Sequence, residues 1–388
     1  NRSDTGHFNN SYSEYSDYHG LRAEATGIAI ENSSFENNDE YAAYLAYMAI
    51  HNYPGNTATG NGVDVFGIFG DISSDLTWTE TASSVILSME STVTVADDVV
   101  LTIPEGTIIK ATGSAQLTVY GTLDANGSVT NPVVFTSLKD DTWGGDSNND
   151  ADATVPEPGD WKGIYLYGNA DDDGIGMFDF CRLRYGGNTL GSPDANVYFN
   201  RSDTGHFNNS YSEYSDYYGL RAEATVIAIE NSSFENNDEY AAHMNYMTLL
   251  NYPGNAATGN GKNVFAISGD IISDHTWTET GSSVILSLLG NVDVADDVVL
   301  TIPEGTIIKG ESSGELDVNG TLKVNGTETN PVVFTSLKDD SYGGDSNNDG
   351  DASSPNPGDW RGIRLIGTDD FEGIGEFDYC RLRYGGNS

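Results

Sequence analysis

The sequence is poor in cysteine, in basic residues and in long apolar runs, and each shortage removes a class of protein. Only two cysteines are present, Cys181 and Cys380. A disulfide-framed module would carry several per unit, so each is read as a small buried hydrophobe, with a bridge between them as the alternative. Lysine and arginine number 17 against 59 acidic residues, a formal net charge of -42. Nucleic acid and anionic membrane surfaces would repel such a chain, so neither is expected as a partner. No apolar run is long enough to span a bilayer, and membrane insertion is not expected. None of the six histidines has a cysteine or second histidine beside it, which argues against zinc. The chain opens at Asn1 without Met or a signal peptide and is expected to be a mature or excised piece.

Core-forming material is nevertheless abundant, with 22 Tyr and 14 Phe, and 45 Gly supply turns. Acidic disordered chains lack such aromatics, so a folded protein is expected. Self-similarity is the dominant signal. Residues 1–188 match 200–387 at a constant offset of 199, and "VADDVVLTIPEGTIIK", "NPVVFTSLKDD" and "FENNDEYAA" recur unchanged. A finer period of 22 residues pairs Asn10 with Asn32, Glu14 with Glu36 and Asp17 with Asp39. Short segments such as "VVLTI", "PVVFTS" and "GIYLYG" alternate in hydrophobicity and are bounded by Gly, Asn, Asp or Pro, the signature of strands and turns. Only "NDEYAAYLAYMAIHN" (38–52) carries a pattern compatible with a short helix. Short strands at that period fit a β-solenoid or a set of sandwiches. Asparagine recurring at one coil position favours the solenoid, because stacked amides hydrogen-bond from coil to coil.

The runs "LTIPEGTIIK", "PGDWKGI", "FDFCRLRYGG" and "GIAIENSSFENN" resemble the repeat of large secreted bacterial right-handed parallel β-helix proteins. The resemblance covers essentially the whole chain. It implies an all-β, right-handed parallel β-helix of tandem 199-residue repeats, with an extracellular location. By that alignment a unit begins near Gly70. Residues 1–69 are then the C-terminal coils of one unit, 70–268 a complete unit, and 269–388 the N-terminal coils of the next. One coil cannot bury its inward face alone, so stacking is obligatory and end coils expose strand edges. Copies of the chain joined end to end, in a filament or longer array, are the expected partner.

Two loops interrupt the strand pattern, 139–161 and 338–360, and carry "DSNNDAD" and "DSNNDGD". Alternate residues of a tight polar loop aim several oxygens at one point, as calcium requires. Asp146, Asn148, Asp150 and Asp152 have that spacing, as do Asp345, Asn347, Asp349 and Asp351. An EF-hand loop wants Gly at its sixth position and Glu at its twelfth. Gly350 meets the first condition while Asn356 stands at the twelfth; Glu157 meets the second while Ala151 stands at the sixth. The prolines at 156, 158, 355 and 357 forbid an EF-hand exit helix. The expectation is therefore two structural Ca2+ loops closed by a neighbouring coil, with Glu157 an extra ligand in one copy. Asp140, Asp141 and Asp160, or Asp339, Asp340 and Asp359, are the candidates to complete the shells. A plain solvated polar loop is the alternative.

Weaker signals remain. "ADDVV" and "NADDDGIG" read as solvated acidic turns, with another cation at the second as the alternative. Enzymes of similar fold use clustered carboxylates, or a calcium with a basic residue nearby. The closest imitation is Asp140/Asp141 with Arg182 and Arg184, repeated as Asp339/Asp340 with Arg381 and Arg383. Alternation in "FCRLRY" places both arginines outward, where pairing with the excess acid is the simpler role. The tyrosines of "SYSEYSDYHG" could face a polysaccharide or stack between coils. The preferred reading is a non-catalytic, calcium-stiffened extracellular rod or filament segment. A carbohydrate-binding adhesin is the alternative, and a polysaccharide lyase is the third.

Overall fold

The computed structural model describes residues 5–24, 27–46, 50–78, 85–188, 193–225, 227–245, 249–277, 284–368 and 372–386. They form strands and turns, with no helix among them. The chain divides into two compact units, Asn1–Gly219 and Leu220–Ser388.

In the first unit the strands stack in parallel as successive coils. One sheet runs Leu76–Thr77, Val100–Pro104, Thr122–Asn126, Ile175–Asp179, Gly205–Asn208. Another runs Ile86–Val95, Gln116–Val119, Gly163–Tyr167, Ala195–Asn200. A third runs Ile86–Val95, Ile108–Ala111, Val133–Ser137, Cys181–Arg184, Tyr211–Glu213. The long strand Ile86–Val95 serves both of the latter: Leu87 to Met89 pair with one, Val93 to Val95 with the other. The second unit repeats the plan, with Ile285–Val294 in the same double role. Each unit is a parallel β-solenoid.

Period-two patterning explains the interior. In Val100–Pro104, Leu101 and Ile103 are fully buried while their neighbours are half-exposed. Register then stacks like on like: Ile103, Ala125, Phe178 and Phe207 form one buried column across four coils. Each such Phe contributes about 1.5–3 kcal/mol through burial. The segment 38–52 is not helical. Tyr41–Ala46 and Ile50–Asn52 are strands, and residues 47–49 lie outside the described residues. Ala42, Ala43 and Leu45 are buried, and Leu21–Glu24 and Val63–Ile72 flank Tyr41–Ala46 on its two edges, so neighbouring coils outweigh its helical propensity.

The asparagine ladder exists but at other positions than Asn10 and Asn32. Those two have φ of 50° and 51°, the left-handed corner that Asn tolerates. The buried rungs are Asn38 and Asn61, where Asn38 Nδ2 and N donate to Asn61 Oδ1 at 2.7 and 3.1 Å. Asn237 and Asn260 repeat them at 2.7 and 3.0 Å. Both cysteines are free; Cys181 is fully buried, and that burial pushes its thiol well above the usual range. The boundaries at 69/70 and 268/269 fall inside the strands Val63–Ile72 and Lys262–Ile271, so they mark repeat phase within continuous strands.

Candidate metal centre

In each unit a long loop leaves a coil corner, between Val133–Ser137 and Gly163–Tyr167 and between Val332–Ser336 and Gly362–Leu365. Its base is held by groups that are thereby used up. Asp140, with no exposed surface, accepts from the Thr136 and Thr142 hydroxyls and from Arg184 Nη1 at 2.6 Å. Asp160 accepts from Ser137 Oγ at 2.7 Å, Lys139 Nζ at 2.7 Å and the Glu157 N–H at 3.0 Å. The buried Trp161 indole donates to Arg184 O at 2.8 Å. Asp339, Asp359 and Trp360 repeat these bonds with Thr335, Ser341, Arg383, Ser336, Lys338 and the Asn356 N–H.

Beyond this base the loop gathers oxygens. The Asp146 carboxylate accepts from the N–H groups of Asp150 and Ala151 at 3.1 and 3.0 Å. Asp150 accepts from the N–H groups of Ala153 and Thr154 and from the Thr154 hydroxyl. Asn148 Nδ2 donates to Asp150 Oδ2 at 2.8 Å, leaving its carbonyl oxygen free to turn elsewhere. One oxygen each from Asp141, Asp146 and Asp150 lies within 4.8 Å of the others, and Asp340, Asp345 and Asp349 match them. Asp141 Oδ1 and Asn148 Oδ1 are buried without a hydrogen-bond partner, as are Asp340 Oδ1, Asn347 Oδ1 and Asp349 Oδ1. An unmatched buried oxygen costs free energy unless a cation or donor meets it.

Of the residues singled out from sequence, Asp146, Asn148 and Asp150 therefore sit together, with Asp345, Asn347 and Asp349 in the second loop. Asp152 and Asp351 are exposed and lie outside the carboxylate groups. Glu157 is also exposed and outside; its backbone N–H, bonded to Asp160, is what the turn uses. Of the residues proposed to complete the shell, Asp141 and Asp340 join the cluster, while Asp140, Asp160, Asp339 and Asp359 are bound into the base.

The charges agree with this geometry. Burial, then the charge of Asp146, holds the Asp141 carboxyl above the usual range, and Asp340 is raised by burial and Asp345. The Thr154 hydroxyl bond is the main cause that keeps Asp150 below it. Lys110, fully buried under the loop, donates to Gly145 O at 2.8 Å, and desolvation lowers its ammonium to about 8. Lys309 does the same with Gly344 O, also at about 8. The two acidic turns also meet, bringing Asp97, Asp98 and Asp173 together at the surface. No unpartnered buried oxygen accompanies that group among the described residues.

A family profile described as "Pectate-lyase like beta helix domain" matches residues 70–197 and 269–388, well over half of the chain. The chain belongs to the pectate-lyase-like β-helix family. No curated protein and no solved structure matches it. Within this β-helix chain the arginines nearest the acidic loop are committed elsewhere. Arg184 is buried rather than outward, closed under the loop by Asp140 and by Glu213 at 3.3 Å. Arg182 bonds Glu213 at 3.0 Å and lies 4.0 Å over the Tyr211 ring. The loops of this β-helix thus each gather three carboxylate oxygens within 4.8 Å of one another, a cradle suited to a hard divalent cation.

Proposed function

We propose that this β-helix chain is a non-catalytic, structural extracellular segment of a bacterial surface or matrix protein, stiffened by calcium at its two Asp-rich loops. The observation that carries this reading is the set of buried, unpartnered oxygens at Asp141/Asn148 and at Asp340/Asn347/Asp349, beside carboxylates that otherwise repel one another. Calcium would accept ligation from Asp141, Asp146, Asn148 and Asp150, and from Asp340, Asp345, Asn347 and Asp349, with water completing the shell. The net charge of -42 supports the same view, since bound cations relieve self-repulsion.

The partner is a further copy of the same repeat, stacked coil on coil. The pairing of Lys262–Ile271, which crosses the 268/269 boundary, with Ile285–Val294 illustrates such a junction. The tyrosine motif packs in its second copy, where Tyr211 lies under Arg182 and Tyr214 stacks on Tyr185 at 5.1 Å, whereas Tyr12, Tyr15 and Tyr18 of the first copy are exposed. A lyase would need an accessible, unpaired base beside the metal; Arg182 and Arg184 are ion-paired, Arg381 is bonded to the Tyr342 hydroxyl, and Lys110 and Lys309 have no exposed surface.

Calcium titration into chelated protein tests the proposal. Binding heat with a sub-millimolar Kd is expected, and about 2.7 kcal/mol of added stability per site at a hundredfold excess over Kd. Absence of heat together with an unchanged Tm ends the calcium reading. Turnover of an acidic polysaccharide would end the non-catalytic one.

A further inference from the structure

Each loop reaches well beyond its own coil. Gly144 (φ 75°) lies so close to Ile86 that a Cβ there would stand 2.0 Å from the Ile86 Cδ1, and Gly343 (φ 71°) meets Ile285 in the same way. Past that point Ser147 O accepts the Asp64 N–H at 2.8 Å, and Asn149 Nδ2 donates to Asn61 O at 2.6 Å and Asp64 Oδ2 at 2.7 Å. Asn61 is the last rung of the buried ladder begun at Asn38, and Asp64 Oδ1 accepts its N–H at 2.9 Å. In the second unit Asn348 Nδ2 donates to Asn260 O at 2.8 Å, and the Asn263 N–H to Ser346 O at 2.7 Å. The loop thus lies back across the coils of Lys110 and Ile86 to that of Asp64.

We propose that Asn149 and Asn348 are clasp residues that transmit cation capture at the loop to the asparagine ladder on the earlier coil. This rests on the calcium reading above. Asn149 stands between two oxygen donors of the cradle, Asn148 and Asp150, and holds a left-handed φ of 54°; Asn348 holds 51°. In the cradle Asp146 caps the N–H groups of Asp150 and Ala151, which fixes the backbone on both sides of Asn149. A cation that fixes Asp146, Asn148 and Asp150 therefore fixes where the Asn149 amide points, and it points at Asn61. Coupling of this kind is reciprocal, so the clasp also tightens cation binding.

The test compares the full chain with its Asn149→Gly/Asn348→Gly variant, which keeps the left-handed turn and deletes the amide. Calcium chloride is the probe, read by calorimetry and by hydrogen exchange at the Asp64 and Asn263 amides. In the unaltered chain calcium is expected to slow exchange at both amides at least tenfold. The glycine variant is expected to bind calcium roughly five- to twentyfold more weakly, with exchange there no longer responding to calcium. Equal affinity with an equal calcium-dependent slowing in the variant overturns the clasp and leaves the calcium reading standing. Absence of binding heat in the unaltered chain overturns both. An Asn149→Asp/Asn348→Asp chain guards against a general loosening of the loop: it keeps the turn but faces Asn61 O and Asn260 O with an acceptor. It is expected to exchange fastest at Asp64 and Asn263.

Discussion

The loops 139–161 and 338–360 are two trials of one design, and they differ at six positions: Thr142/Ser341, Trp143/Tyr342, Ala151/Gly350, Thr154/Ser353, Val155/Ser354 and Glu157/Asn356. Where a hydroxyl feeds a carboxylate, a hydroxyl stays: Thr142 and Ser341 serve Asp140 and Asp339, Thr154 and Ser353 serve Asp150 and Asp349. Where only the backbone is used, the side chain drifts. The docking partner drifts too, from Asp64 to Asn263, and with it goes one charged acceptor for the clasp amide. What the loops share is therefore the supply of oxygens and the anchoring of the base, and the EF-hand consensus is incidental.

The largest break in that likeness is expected at the base. Asp140→Ala leaves Arg184 buried without its main partner, and breaking such a pair costs about 3–5 kcal/mol. The Arg383 side chain is 32% exposed against 11% for Arg184, so water replaces Asp339 better. Asp339→Ala is expected to cost about 1–2 kcal/mol after that screening. Urea unfolding of the two variants checks the order, and equal losses would show that exposure does not set the difference.

Acid comes next. Burial works to raise the carboxyls of Asp339 and Asp359, yet hydrogen bonds outweigh it. Ser341, Thr335 and then the charge of Arg383 hold Asp339 below the usual range, and the Asn356 N–H, Lys338 and Ser336 do so for Asp359. A depressed folded-state pKa contributes stability that is complete above the unfolded value near 4 and lost as pH falls through the folded one. Asp141 and Asp340 run the other way, since raised carboxyls favour the folded state only at low pH. The Tm of calcium-free protein is expected to fall below about pH 4. Asp359→Asn should flatten that fall, and an unaltered slope would remove Asp359 from the account.

The fold was legible in the sequence because solenoid coils repeat their own burial pattern: Leu101 and Ile103 announce a strand locally, whatever lies above them. The segment 38–52 misled because Ala-Ala-Tyr-Leu-Ala suits a helix until two neighbouring coils claim its edges. The alternation of Asp146, Asn148 and Asp150 was legible for the same local reason. Asp140 and Asp141 were not separable, because the groups that saturate Asp140 include Arg184, 44 residues further on. The clasp was hidden more deeply still: Asn149 meets Asp64 and Asn61 across 85 and 88 residues, a contact made by the loop's path back over the coils.

A smaller effect is expected at the sixth loop position. Ala151 holds φ 53° where Gly350 holds 65°. A left-handed alanine costs on the order of 1 kcal/mol relative to glycine. Ala151→Gly should therefore stabilise the calcium-free chain by about 0.5–1 kcal/mol, and Gly350→Ala should destabilise it by as much. Matching signs for the two exchanges would refute the equivalence of the loops.

The smallest effect is expected where the calcium consensus would place a large one. If the twelfth position closed the site with a carboxylate, Glu157→Ala would lose a bidentate ligand and weaken calcium binding strongly. The geometry gives that position another task. The Glu157 N–H bonds Asp160 at 3.0 Å and the Asn356 N–H bonds Asp359 at 2.8 Å, whatever the side chain. Glu157→Ala and Asn356→Ala should both stay within about 0.5 kcal/mol in stability. Their calcium affinities should match the parent's, because the proposed donors are Asp141, Asp146, Asn148 and Asp150 in one loop and their counterparts in the other. A calorimetric loss confined to Glu157→Ala would mean that the first loop swings its exit inward on binding calcium, and the two loops would then close by different routes.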